Sequence, residues 1–326
     1  MKRYLALDAG GTKVAALLYD GDFNQIASAV SGSLRENTTS KDLIEKHIDQ
    51  IITGLGLDGG EIEEIGGTCE GSLVERIKTI CAVKKVAMSG ELDLGLSAAG
   101  IFGDGMLALS GTGATLFYKY KGKSDGTGGY GASVSDEGSG YWIARNAFLA
   151  AIRDDEERGP RTALTDMIPE QMGFSGRSEL RKAIFSIYGH KHHSPVACVA
   201  QCAPLVTKAA MNGDEVAAGI LREAGELLAL QQLYLVKKHD LPDNLPLTIS
   251  GSVWRGAKLL FDTFSDLIRK QSPGRPIIIP RLEPIMGAVA KRYCIEKGGF
   301  SAADAELLSE RFPGFTYDIN KMKTKR

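Results

Sequence analysis

The sequence predicts an α/β protein of two domains, and three observations lead to this prediction. Strand-like apolar runs alternate with helical patterns along most of the chain. At 326 residues the chain is long enough to form two separate cores. A pattern of strand, glycine–threonine turn and strand occurs as LALDAGGTKVAALLY and, about a hundred residues later, as LALSGTGATLFYKY. The recurrence indicates a duplicated architecture with one such turn in each copy.

The first predicted domain covers residues 1–103. Its apolar runs alternate with helical patterns and are separated by tight turns. Strands are predicted at Tyr4–Leu7, Val14–Tyr19, Ile26–Val30, Glu64–Thr68 and Lys85–Met88, and helices at Lys41–Leu55, Leu73–Ile80 and Asp93–Phe102. Asp93 is predicted to be the N-cap of the last of these helices.

The second predicted domain covers residues 104–297, and residues 298–326 are predicted to form a helical tail. The second domain opens with the strands Met106–Ser110 and Thr115–Tyr120 and continues as mostly helical sequence from Glu137 to about Lys238. Two further strands are predicted in PLTIS and RPIIIP, with helices at Val253–Lys270 and Glu283–Glu296.

Composition excludes several classes of partner. The net charge is −1, from 39 basic and 40 acidic residues, which gives no bulk attraction to nucleic acid or a membrane surface. The five cysteines include no C-x-x-C pair, which is typical of a reducing compartment. The chain reaches Asp8 too early for a signal peptide, and no run is long enough to span a membrane. The predicted location is the cytoplasm.

The two glycine–threonine turns are candidates for binding phosphate. A glycine-rich turn between strands presents backbone N–H groups at short range, and hydroxyls at Thr12 and Thr112 and the charge of Lys13 would add to them. For either turn alone a simple β-hairpin is the better interpretation. The pair, with Asp8 just before the first turn, favours phosphate. No G-x-x-x-x-G-K-[ST] motif is present, so the protein is not of the P-loop type.

The stretch GGYGASVSDEGSGYW, residues 128–142, looks like half of a binding site. Glycine is favoured where backbone must approach a ligand closely, and a neighbouring carboxylate can bind hydroxyls or a cation. Asp136 also precedes a predicted helix, so an N-cap is the alternative role for its side chain. Both roles can coexist, because capping uses one carboxylate oxygen and leaves the other.

Together these motifs resemble a known family. LDAGGTK, LSGTGAT and SGSVWRG are similar to the two phosphate segments and the adenosine segment of the actin, Hsp70 and sugar-kinase superfamily. GGYGASVSDEGSGYWIARNA is closely similar to the corresponding segment of N-acetylglucosamine kinases and the wider BadF/BadG-type ATPase family. The resemblance runs from Arg3 to about Tyr293 and implies a duplicated ribonuclease H-like fold with an ATP cleft between two domains. It implies an ATP- and Mg²⁺-dependent kinase for an amino sugar, with N-acetylglucosamine phosphorylated at its 6-hydroxyl.

The resemblance also implies roles for individual residues. Asp8 would organise Mg²⁺ through water, and Asp93 would be the catalytic base. The terminal phosphates of ATP would lie at Gly10, Gly11, Thr12 and Lys13 and at Gly111, Thr112 and Gly113. The adenosine would lie at Gly251 and Ser252, at the start of a helix. The sugar would lie at Asn37, Gly129 and Asp136.

Two departures from the family pattern leave alternatives open. GELDLGLSAAG does not follow the usual order around the base, so Glu91 competes with Asp93 for that role, and a helix cap is a third possibility for Asp93. Cys69 and Glu70 do not match the small-residue run that contacts the sugar in related kinases, which leaves the identity of the sugar open.

The competing functions are a kinase for glucosamine or N-acetylmuramate, a sugar and ATP sensor without catalysis, and an activator ATPase. The last needs cysteines for a bridging iron–sulfur cluster, and no suitable pair is present. The expected partner is a small-molecule sugar, with no nucleic acid or membrane, and the resemblance is compatible with a homodimer.

Overall fold

Two five-stranded sheets organise the structure, a computed structural model that describes residues 2–36, 39–69, 71–132, 134–189 and 195–322. The strands are β1 (Arg3–Ala9), β2 (Lys13–Asp20), β3 (Gln25–Gly32), β4 (Glu61–Ile62), β5 (Glu64–Thr68), β6 (Ala82–Val83), β7 (Val86–Met88), β8 (Gly105–Ser110), β9 (Ala114–Tyr120), β10 (Lys123–Gly128), β11 (Leu247–Ser250) and β12 (Ile277–Ile278).

The helices connect and cover these sheets. They are α1 (Lys41–Leu55), α2 (Gly71–Ile80), α3 (Glu91–Ala98), α4 (Gly140–Asp155), α5 (Leu164–Gln171), α6 (Leu180–Ser186), α7 (Pro195–Ala200), α8 (Ala203–Met211), α9 (Glu215–His239), α10 (Lys258–Gln271), α11 (Met286–Lys297) and α12 (Ala302–Arg311).

The strand order confirms the duplication. The first sheet has the order β3-β2-β1-β5-β7 and the second β10-β9-β8-β11-β12. In each sheet three consecutive strands are arranged third, second, first, and two later strands follow beyond the first. In the first sheet β1, β2 and β3 pair antiparallel, whereas β5 pairs parallel with β1 and β7 pairs parallel with β5. The turn β1–β2 and the turn β8–β9 therefore occupy equivalent places in the two sheets.

The chain divides into two compact units. The first contains Met1–Leu107 and Ile278–Tyr317, and the second contains Ala108–Ile277 and Asp318–Arg326. The sequence-based boundary at residue 103 lies close to Leu107, but the sequence assigns 278–317 to the second domain and the tail.

Residues 278–317 join the first unit because their apolar side chains complete its core. Side chains of α11 and α12, such as Met286 and Leu308, pack with Tyr4, Leu17 and Phe23 on one face of the first sheet. The opposite face is covered by α1 and α2. Each sheet face needs an apolar partner, and nothing in the periodicity of a helix says which sheet it will cover.

Two of the element boundaries that differ from the sequence-based predictions bear on the candidate site, and one strand was not predicted. Helix α3 begins at Glu91, with Gly90 in an extended conformation as its N-cap, so the prediction that Asp93 caps this helix is wrong. Helix α10 begins at Lys258 and not at Val253, so a turn separates Ser252 from the helix. Strand β10, with the sequence KSDGTG, was not predicted, because it is polar and shows no apolar alternation.

A buried carboxylate fixes the carboxyl end of α4. Asp154 is 2% exposed, accepts a hydrogen bond from the Thr165 hydroxyl at 2.5 Å and pairs with Arg177 at 3.3 Å. Burial by itself raises the pKa of Asp154, but the bonds from Thr165 and Thr162 and the charge of Arg177 together hold it below its usual value. The Asp154 cluster is thus satisfied within the protein and holds α4 in place.

Two further findings concern membrane-spanning helices and the cysteines. Within the described ranges, no helix is long and apolar enough to cross a bilayer. The five cysteines are all free thiols, with Cys81 and Cys202 buried and the other three half-buried.

Candidate active site

The first glycine–threonine turn joins β1 to β2 in the first unit. The Gly10 N–H donates to the Lys13 carbonyl at 2.8 Å, which closes the turn. A Cβ built on Gly11 would meet no other atom within 4 Å, so the tip of the turn is open on that side. Thr12 and Lys13 are exposed. A backbone of this kind leaves room for an anion to approach closely.

Asp8 lies just before this turn, between two neighbouring strands. It is opposite Ala15 of β2 and Thr68 of β5, and it is half-buried. Because side chains alternate along a strand, Asp8 belongs to the sheet face that carries Tyr4 and Ala6. Helix α3 contributes Ala98 to the core on that same face. Asp8 therefore shares one side of the first sheet with the helix that carries Asp93.

The second glycine–threonine turn joins β8 to β9 in the second unit and receives the start of α4. The first two N–H groups of this helix, at Gly140 and Tyr141, donate to the carbonyls of Gly111 and Thr112 at 2.8 and 3.2 Å. Gly111 in turn donates to Gly113 at 2.9 Å. The first N–H groups of a helix have no partner within the helix, so the turn satisfies them and is fixed by them.

The predicted adenosine segment packs directly on this second turn. The Val253 N–H donates to the Ser110 carbonyl at 3.2 Å, and a Cβ built on Gly251, where φ is +100°, would overlap that same carbonyl. Only glycine fits there without displacing the turn. Trp254 is fully buried and its indole N–H donates to the Ser250 carbonyl at 3.0 Å. Gly251 and Ser252 are thus held against the second turn.

Asp136 is also brought to the second turn. A Cβ built on Gly113 would lie 2.7 Å from its Oδ2 atom, and its Oδ1 atom accepts from the Gly131 N–H at 3.2 Å. The N-cap of α4 is Ser139, whose hydroxyl oxygen accepts from the Trp142 N–H at 3.1 Å. The N-cap alternative for Asp136 is therefore wrong.

Asp136 is a buried carboxylate in an uncommon backbone conformation. It is only 6% exposed and has φ of +58°, a conformation rare outside glycine. Burial raises the pKa of Asp136, and the single bond from Gly131 lowers it by less. Within the described part of the chain it forms no ion pair. Groups with a perturbed pKa and an uncommon backbone conformation are enriched at functional sites.

Gly129 follows β10 and lies beside the same region. Its φ is +72°, and a Cβ built there would lie 2.5 Å from the Thr115 hydroxyl. Strand pairing places Gly128 opposite Thr115, so the β9–β10 hairpin carries the glycine-rich loop back to the start of β9. Gly129, Gly113 and Asp136 consequently lie around one end of the second sheet.

Asp93 lies in the first turn of α3, two residues after Glu91. Helix α3 is held tightly, because a Cβ on Gly287 would overlap the Leu94 carbonyl and a Cβ on Gly95 would lie 2.7 Å from the Leu107 side chain. Glu91 pairs with Arg35 at 3.5 Å. The partner Arg35 was not predicted, because an exposed arginine in a loop carries no signal in the sequence.

The predicted sugar ligand Asn37 lies outside the described residues, and so does Glu70, which departs from the family pattern. For a divalent cation, the described residues contain no group of three His, Cys, Asp or Glu side chains suited to direct coordination. A single carboxylate such as Asp8 fits Mg²⁺, which keeps most of its water and takes its other ligands from phosphate groups.

Comparison with known proteins gives the family. The model of the BadF/BadG/BcrA/BcrD ATPase family matches residues 5–290. The chain belongs to this family. An N-acetylmuramic acid/N-acetylglucosamine kinase from Clostridium acetobutylicum is 26% identical over 303 residues, which are 89% of this chain and 97% of the relative. An N-acetyl-D-glucosamine kinase from Dictyostelium discoideum is 27% identical over 311 residues, 87% of this chain and 96% of the relative.

Solved structures support the fold of this BadF/BadG-type ATPase. A candidate N-acetylglucosamine kinase from Chromobacterium violaceum superimposes with a TM-score of 0.63 at 21% identity, covering 89% of this chain and 98% of that one. A ROK family glucokinase from Streptomyces griseus gives a TM-score of 0.54 at 16% identity, with 88% and 97% covered. The duplicated two-sheet architecture is thus that of known sugar kinases.

Gly113→Ala tests the contact between the second turn and Asp136. The added methyl must push the Asp136 carboxylate aside, so we expect weaker sugar binding, by about tenfold, with a smaller effect on stability. Calorimetric titration with N-acetylglucosamine measures the sugar affinity of the variant. Gly103→Ala is the control, because a Cβ there meets nothing within 4 Å. Unchanged sugar affinity in Gly113→Ala would contradict the contact's importance.

Proposed function

We propose that the protein is an ATP-dependent kinase that phosphorylates an amino sugar, N-acetylglucosamine at its 6-hydroxyl. One observation carries the proposal. Ser110 and the second turn that follows it, Gly111–Gly113, lie against both the predicted adenosine segment at Gly251–Val253 and the predicted sugar ligand Asp136. A turn that touches both segments would hold phosphate where nucleotide and sugar meet.

The two turns would bind the phosphates. The N–H groups of Gly10 and Gly111 close their own turns, so Gly11 and Gly113 are the candidates for donating to phosphate oxygens. Lys13 adds an exposed positive charge beside the first turn. Asp8 would hold Mg²⁺ through water. When bound, Mg²⁺ neutralises charge that develops on the transferred phosphoryl group.

The carboxylates would act on the sugar. Asp136 would accept hydrogen bonds from ring hydroxyls and fix the orientation of the acceptor. Asp93 would accept the proton of the reacting hydroxyl as its oxygen attacks the terminal phosphorus of ATP, and ADP leaves. Phosphoryl transfer has a loose transition state, so these groups act mainly by positioning and by electrostatics.

A panel of sugars with Mg²⁺-ATP tests the proposal. N-acetylglucosamine should stimulate ADP release strongly, and mass spectrometry should detect one phosphosugar per ADP. Glucose and N-acetylgalactosamine serve as controls for the 2-acetamido group and the 4-hydroxyl. ATP hydrolysis that is independent of sugar, with no phosphosugar from any member of the panel, would refute the kinase.

N-acetylmuramate is the second candidate acceptor. The relative from Clostridium acetobutylicum carries both sugars in its name, which favours including it. The same panel, extended with N-acetylmuramate and glucosamine, ranks the acceptors by kcat/KM. Tight binding of sugar and ATP without turnover would instead indicate a sensor. A homodimer and a cytoplasmic location stay predictions, which sedimentation and cell fractionation check.

A further inference from the structure

We infer that the segment Asp318–Met322 is a clamp that positions the nucleotide-binding loop, and that Gly256 and Met322 are its contact residues. The inference rests on the proposed function, because it takes Gly251–Val253 as the adenosine segment. The segment lies beyond the residues matched by the family model, which ends at 290. It nevertheless packs in the second unit, with the loop that joins β11 to α10.

The loop from Gly251 to Ala257 is fixed at its start and in its middle by groups already described. Gly251 and Val253 contact the Ser110 carbonyl, and the Trp254 ring packs edge-on against Phe264 at 4.9 Å. At the far end of the loop the Arg255 N–H donates to the Ser252 carbonyl at 3.3 Å, and α10 begins with Ala257 as its N-cap, without a side-chain cap bond.

The clamp supplies an anchor at that far end. The Gly256 N–H donates to the Ile319 carbonyl at 2.7 Å. Met322 covers the same glycine so closely that a Cβ on Gly256 would overlap its Cγ atom and lie 3.1 Å from its backbone nitrogen. Gly256 also has φ of +70°, which glycine adopts without strain.

The clamp segment, Asp318–Met322, is itself an ordered turn. The Asp318 carboxylate accepts from the Asn320 N–H at 2.9 Å and pairs with the Lys321 amine at 3.6 Å. Tyr317, which directly precedes this segment, belongs to the first unit, and its N–H donates to the Arg281 carbonyl at 2.8 Å. From this ordered turn, Ile319 and Met322 contact Gly256 and restrict where it can move.

A loop that binds a ligand gains affinity when it is held in its bound position beforehand. Loss of the clamp should therefore weaken nucleotide binding and leave sugar binding unchanged. We expect the Kd for a non-hydrolysable ATP analogue to rise about tenfold, because the loop would then have to be ordered when the nucleotide binds. The KM for ATP should rise in parallel, with the KM for sugar unaltered.

Truncation gives the first test. Deleting residues 318–326 removes the clamp, and deleting only 323–326 is the matched control, since it keeps Ile319 and Met322. Calorimetry with the ATP analogue should show about tenfold weaker binding for the longer deletion and no change for the shorter one. Equal affinity in the two, with normal thermal melting, would overturn the clamp. If the full chain itself binds no nucleotide, the proposed function fails as well, and that result is distinct.

Point variants give a second test, which applies even if the truncated chain misfolds. Gly256→Ala should weaken nucleotide binding, whereas Gly122→Ala should not; both have positive φ, but a Cβ on Gly122 meets nothing within 4 Å. Met322→Ala should weaken binding in part, and Met322→Leu should restore it by refilling the contact. If Gly256→Ala and Gly122→Ala bind nucleotide equally well, the positioning role is wrong.

Discussion

Asp93→Asn is expected to lower kcat by about a hundred- to ten-thousand-fold, which is the usual contribution of a general base. Asparagine keeps the shape of the side chain and one acceptor oxygen, but it cannot take up the proton of the attacking hydroxyl. Affinity for sugar should change much less than turnover. A loss of kcat with little change in KM is the signature of an interaction made mainly in the transition state.

This experiment is decisive because the fold excludes the competing role of Asp93 as a helix cap. Gly90 is the N-cap of α3, and Asp93 lies inside the first helical turn. Replacing an acidic residue there by asparagine costs at most about 1 kcal/mol through the helix dipole. Asp42→Asn is a matched control, since Asp42 lies in the first turn of α1 in the same unit. It should lose a similar amount of stability and no activity.

Glu91 is the rival base, and its surroundings argue against it. Its carboxylate pairs with Arg35 at 3.5 Å and is 37% exposed, so it already faces a cation. We expect Glu91→Gln to reduce turnover by far less than Asp93→Asn. The reverse order of the two variants would assign the base to Glu91, and full activity in both would remove the general base from the mechanism.

The sequence predicts the fold well where local pattern and global architecture agree. Helix α1 and strand β5 have the predicted bounds. In α1 the apolar residues Ile44, Ile48, Ile51 and Leu55 recur at helical spacing, which makes the prediction clear. The duplicated strand–turn–strand pattern correctly predicts two equivalent sheets. The polar strand β10 could not be found, since an edge strand stabilised by backbone pairing to β9 needs no apolar alternation.

The candidate site was predictable in its parts but not in its connections. Glycine-rich turns indicate that backbone can approach a ligand closely, so Gly111–Gly113 could be found from the residues themselves. Gly251 was predicted from the family resemblance of its segment. That Gly251 lies against Ser110, and Asp136 against Gly113, depends on tertiary packing between segments far apart in the chain. The N-cap of α4 shows the limit of local rules, because both Asp136 and Ser139 are suitable cap residues and only Ser139 is used.

Asp136→Asn is expected to separate function from stability, which makes it the second decisive variant. Charged hydrogen bonds to ring hydroxyls are worth about 1.5–3 kcal/mol, so sugar affinity should fall by about ten- to a hundredfold or slightly more. Stability should rise instead of fall. The carboxylate is buried, and asparagine keeps an acceptor for the Gly131 N–H without the cost of a buried charge.

The pH dependence of this stabilisation has a definite sign. Burial raises the pKa of Asp136 in the folded protein above its value in the unfolded chain. The protonated group therefore favours folding at pH below the unfolded pKa, and that contribution is lost as pH rises through the folded pKa. Asparagine does not titrate. The gain in unfolding free energy of Asp136→Asn over wild type should consequently be larger at pH 7 than at acidic pH.

Asp125→Asn is the matched control, because its pKa moves the other way. The Asp125 carboxylate pairs with Lys238 at 3.0 Å, and the hydrogen bond from Lys238 lowers its pKa. Its contribution to stability is present above the unfolded pKa and is lost as pH falls through the folded pKa. As an exposed pair it should cost under about 1 kcal/mol when replaced, with sugar affinity unchanged.

Denaturant titrations at several pH values and calorimetry with N-acetylglucosamine together check Asp136. The expected pattern is a more stable variant that binds sugar poorly, which is the trade-off typical of a group kept for its ligand. A variant that loses stability at neutral pH while it keeps sugar affinity would show that Asp136 serves the fold of the glycine-rich loop. Sugar recognition would then have to come from residues other than this carboxylate.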